Sequence, residues 1–190
     1  MSRLITITGP AYSGKTTLIN HIKEDHNYVT PRHITTRKKR IDDEPGFYRY
    51  VSIYEYNTLL NHDELLISSG MHDRMYGILK EDFNDCYNKA DNVILSISYK
   101  DIYKYLLLEY EKILITLTYR NIEDSMKNRY YLEKNRQQSY EELLIRIRAA
   151  LDDHDKYFEI VKNNSDCLIY TDENNEIETY QKVLTKIKSN

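Results

Sequence analysis

The sequence predicts an α/β fold in which a parallel sheet is flanked by helices. Four short apolar runs are rich in β-branched residues and lack a clean polar alternation, which is typical of buried strands. Segments with the apolar spacing of amphipathic helices separate these runs. Strands that alternate with helices form parallel sheets covered on both faces. The four runs are Leu4 to Thr8, Val93 to Ser98, Ile113 to Thr118 and Cys167 to Thr171.

Three helices are predicted between and after these strands. The first spans Thr16 to Lys23, the second is a long amphipathic segment from Tyr140 to Val161, and the third spans Glu176 to Ile187. Two polar stretches, 30–82 and 127–140, fit this scheme poorly, because neither resembles sheet core. We expect both to be insertions over the carboxyl edge of the sheet, where open α/β folds bind ligands.

Composition limits the classes of function. The chain of 190 residues is about one domain long, and its net charge of −3 gives no general attraction to nucleic acid or to anionic membranes. Two scattered cysteines, Cys86 and Cys167, are too few for a disulfide framework or a zinc site. No segment approaches the length of an apolar membrane span. We therefore expect a cytoplasmic protein, monomeric or homodimeric, whose partners are small molecules.

The segment "GPAYSGKT", residues 9–16, follows the first strand and opens the first helix. Its spacing G-x-x-x-x-G-K-[ST] is that of a phosphate-binding loop, in which backbone N–H groups and the helix N-terminus bind phosphate oxygens. Lys15 would reach the β and γ phosphates, and the Thr16 hydroxyl would ligate Mg²⁺. The loop alone does not distinguish a kinase from an ATPase, a GTPase or a switch. The expected phosphate-binding residues are Gly9, Ala11, Tyr12, Ser13, Gly14, Lys15, Thr16 and Thr17.

A second constellation lies in the first polar stretch. "HITTRKKR" places Arg37 and Arg40 three positions apart, and "GFYRYVS" adds Tyr48. Guanidinium groups bind phosphate bidentately, and a tyrosine hydroxyl adds a neutral hydrogen bond. A basic cluster is also compatible with a solvated face or a nucleic-acid patch. The acidic run 42–44 that follows at once would weaken an extended patch of that kind.

With these motifs the chain resembles the guanylate kinase-like nucleoside monophosphate kinases. The resemblance rests on "ITITGPAYSGKTTLI", on "TTRKKR" followed by "GFYRYVS" and "YEY", on "MYG" at 75–77, and on "IRIRAA". It implies a P-loop kinase fold with a core (1–29, 86–125 and 149–190), an acceptor-binding insertion (30–85) and a helical lid (126–148). It also implies transfer of a phosphoryl group from ATP, with Mg²⁺, to the phosphate of a nucleoside or deoxynucleoside monophosphate.

Individual roles follow from the same resemblance. Arg37, Arg40, Tyr48 and Tyr76 match residues that bind the acceptor phosphate. Arg146 matches a lid arginine that reaches the donor phosphates, and Arg129 and Arg136 lie where further lid arginines are expected. Thr171 falls near the adenine of the donor. The implied catalytic set is Lys15, Arg37, Arg129, Arg136 and Arg146.

The chain departs from the family at the residues that read guanine. Ile67 and Ile78 stand where an acidic residue and a serine or threonine are expected, and His33 replaces a small serine. Ser96 and Ser98 replace two aspartates. Because isoleucine forms no hydrogen bond with a purine edge, we expect an acceptor other than GMP. We include His72 in this acceptor set as a contact to a base or sugar.

Several alternatives remain open at this point. The acceptor is a pyrimidine nucleotide, a nucleotide with a modified base, or a phosphosugar of the ribose 1,5-bisphosphate type. Since Ser96 and Ser98 are neutral and would orient Mg²⁺-bound water weakly, a non-catalytic binding module is a further alternative. The intact phosphate loop favours an enzyme over such a module.

Overall fold

The computed structural model describes residues 2–24, 28–40, 43, 45–71, 74–132 and 139–189. Its central sheet has five strands, which all run parallel, in the order β2-β7-β1-β8-β9. The prediction of a parallel sheet is therefore confirmed, and its four predicted strands are all present. The strands are β1 (Arg3–Thr8), β2 (Tyr28–Val29), β7 (Asn92–Ile97), β8 (Lys112–Thr118) and β9 (Cys167–Tyr170).

Helices cover both faces of this sheet, as the alternation of elements predicts. Side chains that alternate along β1 point to opposite faces, so Ile5 and Ile7 pack with helices α1 and α7, while Leu4 packs with α6. The helices are α1 (Lys15–Glu24), α2 (Ile53–Asn61), α3 (Lys80–Lys89), α4 (Ile102–Leu106), α5 (Ile122–Leu132), α6 (Tyr140–Asn164) and α7 (Glu176–Ser189). A 3₁₀ turn, η1 (Tyr99–Asp101), precedes α4. No helix among the described ranges is long and apolar enough to cross a bilayer.

The polar stretch 30–82 contains a second sheet, which the sequence analysis did not expect. Its four strands lie in the order β4-β3-β6-β5, with β3 parallel to β4 and antiparallel to β6. The strands are β3 (His33–Thr35), β4 (Tyr48–Tyr50), β5 (Leu65–Met71) and β6 (Arg74–Leu79). One face of this sheet is apolar and packs with Tyr56 of α2 in a cluster of its own, whereas Ile67 and Ile78 on the other face join a core cluster of the central sheet. The other face lines a cleft.

The second polar stretch, 127–140, joins α5 to α6. Residues 133–138 lie outside the described ranges. Ser139 caps α6, because its side chain accepts a hydrogen bond from the N–H of Glu142. Met126 of α5 and Leu143 of α6 pack together with Tyr12 of the phosphate loop. The helix pair therefore lies directly over the loop.

Candidate functional site

The phosphate loop has a backbone that only glycine can form at its first position. Gly9 follows β1 with a φ of 154°, and a Cβ there would lie 2.2 Å from the carbonyl oxygen of Leu117. Gly14, with a φ of 86°, leads into α1 and has no atom near the position of a Cβ. The free N–H groups of the first turn of α1 consequently face the loop, where an anion is stabilised by them and by the helix dipole.

Lys15 is held inside the loop. Its Nζ donates hydrogen bonds to the carbonyl oxygens of Gly9 and Pro10, at 2.8 and 2.6 Å. Burial lowers the pKa of the Lys15 ammonium to about 8, because a buried charge without an anionic partner is destabilised. An anion in the loop would supply the missing partner.

On the opposite wall, Arg37 forms a buried ion pair with Asp43. Both guanidinium NH groups donate to the carboxylate, and the side chains are 4% and 7% exposed. Burial alone would raise the pKa of the Asp43 carboxyl, but hydrogen bonds from Arg37 and Tyr50 hold it well below its usual range. Burial also disfavours the charged form of Arg37, but the hydrogen bonds to Asp43 raise the pKa of the Arg37 guanidinium.

Asp43 also orders the chain between the two arginines. It accepts a hydrogen bond from the backbone N–H of Arg40 at 2.7 Å and one from the Tyr50 hydroxyl at 2.5 Å. The Arg37 guanidinium carbon lies 4.6 Å from the centre of the Tyr48 ring, within range of a cation–π interaction. The acidic residue that follows the basic cluster therefore fixes Arg37 and the backbone at Arg40.

One open cleft brings the loop and this wall together. It encloses about 1130 Å³ of empty space, including volume open to solvent. Most of the predicted site residues line it: Gly9, Ala11, Lys15, Thr16, His33, Arg37, Arg40, Tyr48, Ile67, Tyr76, Ile78, Ser96, Ser98 and Arg146. Six further lining residues were not predicted from the sequence: Phe47, Ser69, Arg74, Gly77, Ile97 and Asp101.

Two rows of side chains form the floor of the cleft. Cross-strand partners lie side by side on the same face of a sheet. The first row is His33, Ile78 and Ile67, and the second is Tyr76 and Ser69, which continues into the buried Thr35. Arg37 follows Thr35 along the chain, so the arginine end of the cleft lies beyond the second row.

His33 is a buried, uncharged group in the first row. It is 6% exposed, and its ring stacks on Phe47 with centroids 4.8 Å apart and planes 12° apart. Its Nε2 has no hydrogen-bond partner within the described part of the chain. Burial lowers the pKa of the imidazole to about 4, so the ring is neutral at physiological pH.

A hydroxyl and a carboxylate meet at the other side of the floor. The Ser98 Oγ donates to Oδ2 of Asp101 at 2.6 Å across the 3₁₀ turn η1. The Oγ of Ser69 lies 3.4 Å from that of Ser98. Asp101 is 4% exposed. The cleft thus contains the carboxyl group of Asp101, although the two positions that the resemblance compares with aspartates, Ser96 and Ser98, carry serines.

Arg146 projects into the cleft from α6. Its guanidinium carbon lies 5.9 Å from the centre of the Tyr12 ring. Burial and the nearby charge of Arg40 lower the pKa of the Arg146 guanidinium. At the start of the same helix, Glu142 accepts a hydrogen bond from Arg74 of β6 at 3.2 Å. These contacts connect α6 with the phosphate loop and with the second sheet.

A smaller pocket lies on the other side of the phosphate loop. Its lining includes the predicted residues Ser13, Gly14, Thr17, Arg129 and Thr171. The further lining residues are Leu18, His21, Asn174, Glu176 and Thr179. Arg129 therefore faces this pocket rather than the cleft that contains Arg146.

Among the described residues, one predicted residue, Tyr12, lines neither space. Tyr12 packs with Met126 of α5 and Leu143 of α6. Arg136 and His72 lie outside the described residues, and so does the acidic residue Asp42. Among the described residues, no group of three or more histidine, cysteine, aspartate or glutamate side chains forms a metal site.

The donor set nevertheless fits Mg²⁺ bound mainly by nucleotide. Thr16 is exposed and lines the cleft beside Lys15. Mg²⁺ commonly keeps several waters and binds phosphate oxygens with few protein ligands. A single hydroxyl at this position is therefore sufficient as a protein ligand.

Comparison with known proteins gives consistent matches. The family model described as "Guanylate kinase" matches residues 1–184. A guanylate kinase of Methylobacillus flagellatus is 32% identical over 100 residues, which are 51% of this chain and 49% of that protein. One of Fusobacterium nucleatum is 24% identical over 98 residues, which are 51% of this chain and 53% of that protein. The chain spans about half the length of the curated relatives it matches.

Solved structures extend the likeness to the whole chain. The crystal structure of guanylate kinase from Anaplasma phagocytophilum has a TM-score of 0.71 and 17% identity, and covers 99% of this chain and 85% of that one. Shikimate kinase from Acinetobacter baumannii, in complex with shikimate, has a TM-score of 0.50 and 16% identity, with 100% and 94% covered. At these identities the likeness establishes the fold.

Proposed function

The chain belongs to the guanylate kinase family, and on that premise we propose that it transfers the γ-phosphoryl group of ATP to the phosphate of a nucleoside monophosphate. The observation that carries the proposal is the single cleft with phosphate-binding chemistry on both walls. Lys15 and the loop lie on one wall, and Arg37 and Arg40 lie on the other. A donor and an acceptor that are both anions require such an arrangement.

The reaction needs positioning and neutralisation of charge more than acid–base chemistry. The acceptor oxygen belongs to a phosphate that is already anionic, so it attacks the γ-phosphorus without a strong general base. Lys15 and the N–H groups of α1 would hold the β and γ phosphates of the donor. Arg37, Arg40, Tyr48 and Tyr76 would hold the acceptor phosphate in line, and Arg146 would stabilise the charge that develops on the transferred group.

Mg²⁺, held by Thr16 and the donor phosphates, would neutralise charge on the β and γ oxygens. We propose that the smaller pocket receives the donor base, beside Thr171, and that Arg129 lies near it. The core, the insertion 30–85 and the lid 126–148 then correspond to the donor site, the acceptor site and a cover over the donor phosphates. Exclusion of water under this cover would suppress hydrolysis.

The acceptor is a nucleotide or deoxynucleotide that is not read as guanine. Ile67 and Ile78 lie side by side in the first row of the floor, and neither offers a hydrogen bond to the N–H groups of guanine. A phosphosugar of the ribose 1,5-bisphosphate type is the second candidate, because apolar residues at these positions do not require a base. A non-catalytic module is the third candidate, and the complete phosphate-loop motif around Lys15 argues against it.

The test is a panel of acceptors with purified protein, ATP and Mg²⁺, in which formation of ADP is measured. The panel contains the common ribo- and deoxynucleoside monophosphates and ribose 1,5-bisphosphate. We expect phosphorylation of at least one nucleoside monophosphate other than GMP, and a loss of about a hundredfold or more in Lys15→Ala. Lys89→Ala, an exposed lysine of α3, is the matched control and should retain full activity.

Two results would contradict the proposal. GMP as the best acceptor would refute the inference from the two isoleucines. A wild-type protein that neither binds ATP nor phosphorylates any member of the panel would favour the binding module.

We also propose that the protein acts in the cytoplasm on small molecules, since its cysteines Cys86 and Cys167 are both free.

A further inference from the structure

We propose that His33, together with the Ser98–Asp101 pair, reads the base of the acceptor, and that the acceptor is therefore a nucleotide rather than a phosphosugar. This inference rests on the proposed function, because it concerns the same cleft. It gives His33 a specific partner, the base of the acceptor. It also adds Asp101, which the motifs did not indicate.

The Nε2 of His33 is a polar atom prepared for a ligand. It is buried and has no partner among the described residues, although unpaired buried polar atoms destabilise a fold. The stack on Phe47 fixes the plane of the ring. The neutral imidazole offers one hydrogen bond, as donor or acceptor according to its tautomer. A base edge in the cleft would satisfy this atom.

The Ser98–Asp101 pair supplies the opposite polar edge. Ser98 uses its hydroxyl hydrogen on the Asp101 carboxylate, and its oxygen accepts from the N–H of Asp101 in the capping box of η1, so one lone pair remains to accept a further hydrogen bond. Asp101 also accepts only, when ionised. This side of the cleft therefore binds hydrogen-bond donors, such as a ring N–H or an exocyclic amino group. All the common bases carry at least one such donor.

The floor between the two polar edges is suited to a flat ring. Ile78 and Ile67 lie between His33 on β3 and Ser98, which approaches β5 through Ser69. Neighbouring strands are about 4.8 Å apart, so three strands span about 10 Å. That width accommodates a heterocycle with a hydrogen bond at either side. Apolar side chains under a planar ring contribute through burial and shape rather than through hydrogen bonds.

Charge distinguishes a base from a second phosphate in this part of the cleft. Among the described lining residues, the cations are Lys15, Arg37, Arg40, Arg74 and Arg146, and the first row contains none of them. Arg74 is four residues from Ile78 on β6, about 13 Å away at the rise of a strand. A second phosphate near Asp101 would meet a carboxylate instead. The geometry therefore disfavours a bisphosphate.

The test measures equilibrium binding by calorimetry at neutral pH, without donor. The ligands are AMP, CMP, GMP, UMP, dTMP, ribose 5-phosphate and ribose 1,5-bisphosphate. We expect at least one nucleotide to bind at least about tenfold more tightly than ribose 5-phosphate, and expect His33→Phe and Asp101→Asn each to reduce this ratio about tenfold. Affinity for ribose 5-phosphate should not change, because it lacks the base.

The variants are chosen to preserve the fold. Phenylalanine keeps a ring against Phe47 and removes the unpaired nitrogen, so the melting temperature of His33→Phe should stay equal or rise. His33→Asn retains a hydrogen-bonding group and should keep more of the ratio than His33→Phe. Asparagine at 101 can still accept from Ser98. His62→Phe, at an exposed histidine after α2, is the matched control and should leave the ratio unchanged.

Each outcome decides the matter. A ratio that is unaffected by His33→Phe, or tighter binding of ribose 1,5-bisphosphate than of every nucleotide, overturns the inference. An effect of His33→Phe without one of Asp101→Asn overturns the part that concerns the carboxylate. If nucleotides bind in this base-dependent way but none is phosphorylated in the panel, the proposed function fails and the inference stands. If a nucleotide is phosphorylated and His33→Phe has no effect, the reverse holds.

Discussion

The pH dependence of nucleotide binding is expected to report the charge of Lys15. In the free protein, burial lowers the pKa of this ammonium to about 8. A bound triphosphate would place anionic oxygens beside Nζ and raise that pKa. Below pH 8 the free protein carries the charge already. Above that pH it must take up a proton to bind, so affinity for the donor should fall as the pH rises.

The size of the effect follows from proton linkage. At about one unit above the pKa of the free protein, roughly one Lys15 in eleven is still protonated. Affinity at about pH 9 should therefore be about tenfold lower than at about pH 7. The decrease should continue at about tenfold per unit until the pKa of the complex is reached.

Calorimetry with Mg²⁺ and a non-hydrolysable ATP analogue measures this directly. Two buffers of different ionisation enthalpy also give the number of protons taken up on binding. Lys15→Arg is the control, because arginine stays charged over the whole range and should bind with little dependence on pH. A wild-type affinity that is flat between about pH 7 and 9 would refute the reasoning, as would an equal decrease in Lys15→Arg.

Two further predictions concern stability and the shape of the loop. Asp43→Asn should lower the free energy of unfolding at neutral pH by about 3 kcal/mol, because it leaves the buried Arg37 without its anion. The pair stabilises the fold above the ordinary pKa of aspartate, and this contribution is lost as the pH falls through the lowered pKa, so denaturant unfolding near about pH 2 should show a smaller difference between variant and wild type. Gly9→Ala should weaken ATP binding more than about tenfold, since its Cβ would collide with the Leu117 carbonyl oxygen. Gly70 does not have a positive φ, and a Cβ there would lie 3.4 Å from its nearest neighbour, the Met75 sulfur. Gly70→Ala is therefore the control and should bind ATP normally by the same calorimetry.

The sequence was most informative where hydrophobic patterns are long. β1 and β8 are buried on both faces by α1, α6 and α7, so their runs of β-branched and apolar residues are buried almost throughout and identify them as strands. β3 and β4 have three residues each, too few for a period to be visible. Their outer face carries polar residues of the cleft, such as His33 and Tyr48. A sheet with one face towards a cleft therefore lacks the alternation of apolar and polar residues that identifies a core strand.

The same limit applies to the candidate site. Motif spacing was sufficient to predict Lys15, because the loop is contiguous in sequence and its geometry is local. Asp101 was not predicted, because it lies three positions after Ser98, where the resemblance expects an acid. The 3₁₀ turn η1 brings its carboxylate back to Ser98. Asp43 was noted only as a charge that weakens a basic patch. Its bidentate bond with Arg37 depends on contacts with Arg40 and Tyr50 that hold the Asp43 carboxylate in place.

The cations of the cleft divide into two electrostatic classes. Arg37 has a counterion in the protein, Asp43, and its pKa is raised. Lys15 and Arg146 have lowered pKa values, Lys15 through burial and Arg146 through burial and the charge of Arg40. An added anion gains more from a cation that is not yet neutralised, since the buried charge is otherwise uncompensated. Lys15 and Arg146 should therefore contribute most of the electrostatic free energy of binding, whereas Arg37 contributes a fixed geometry. The cleft without nucleotide therefore holds buried cations without an anionic partner, and binding of a nucleotide that supplies one should stabilise the fold through mass action.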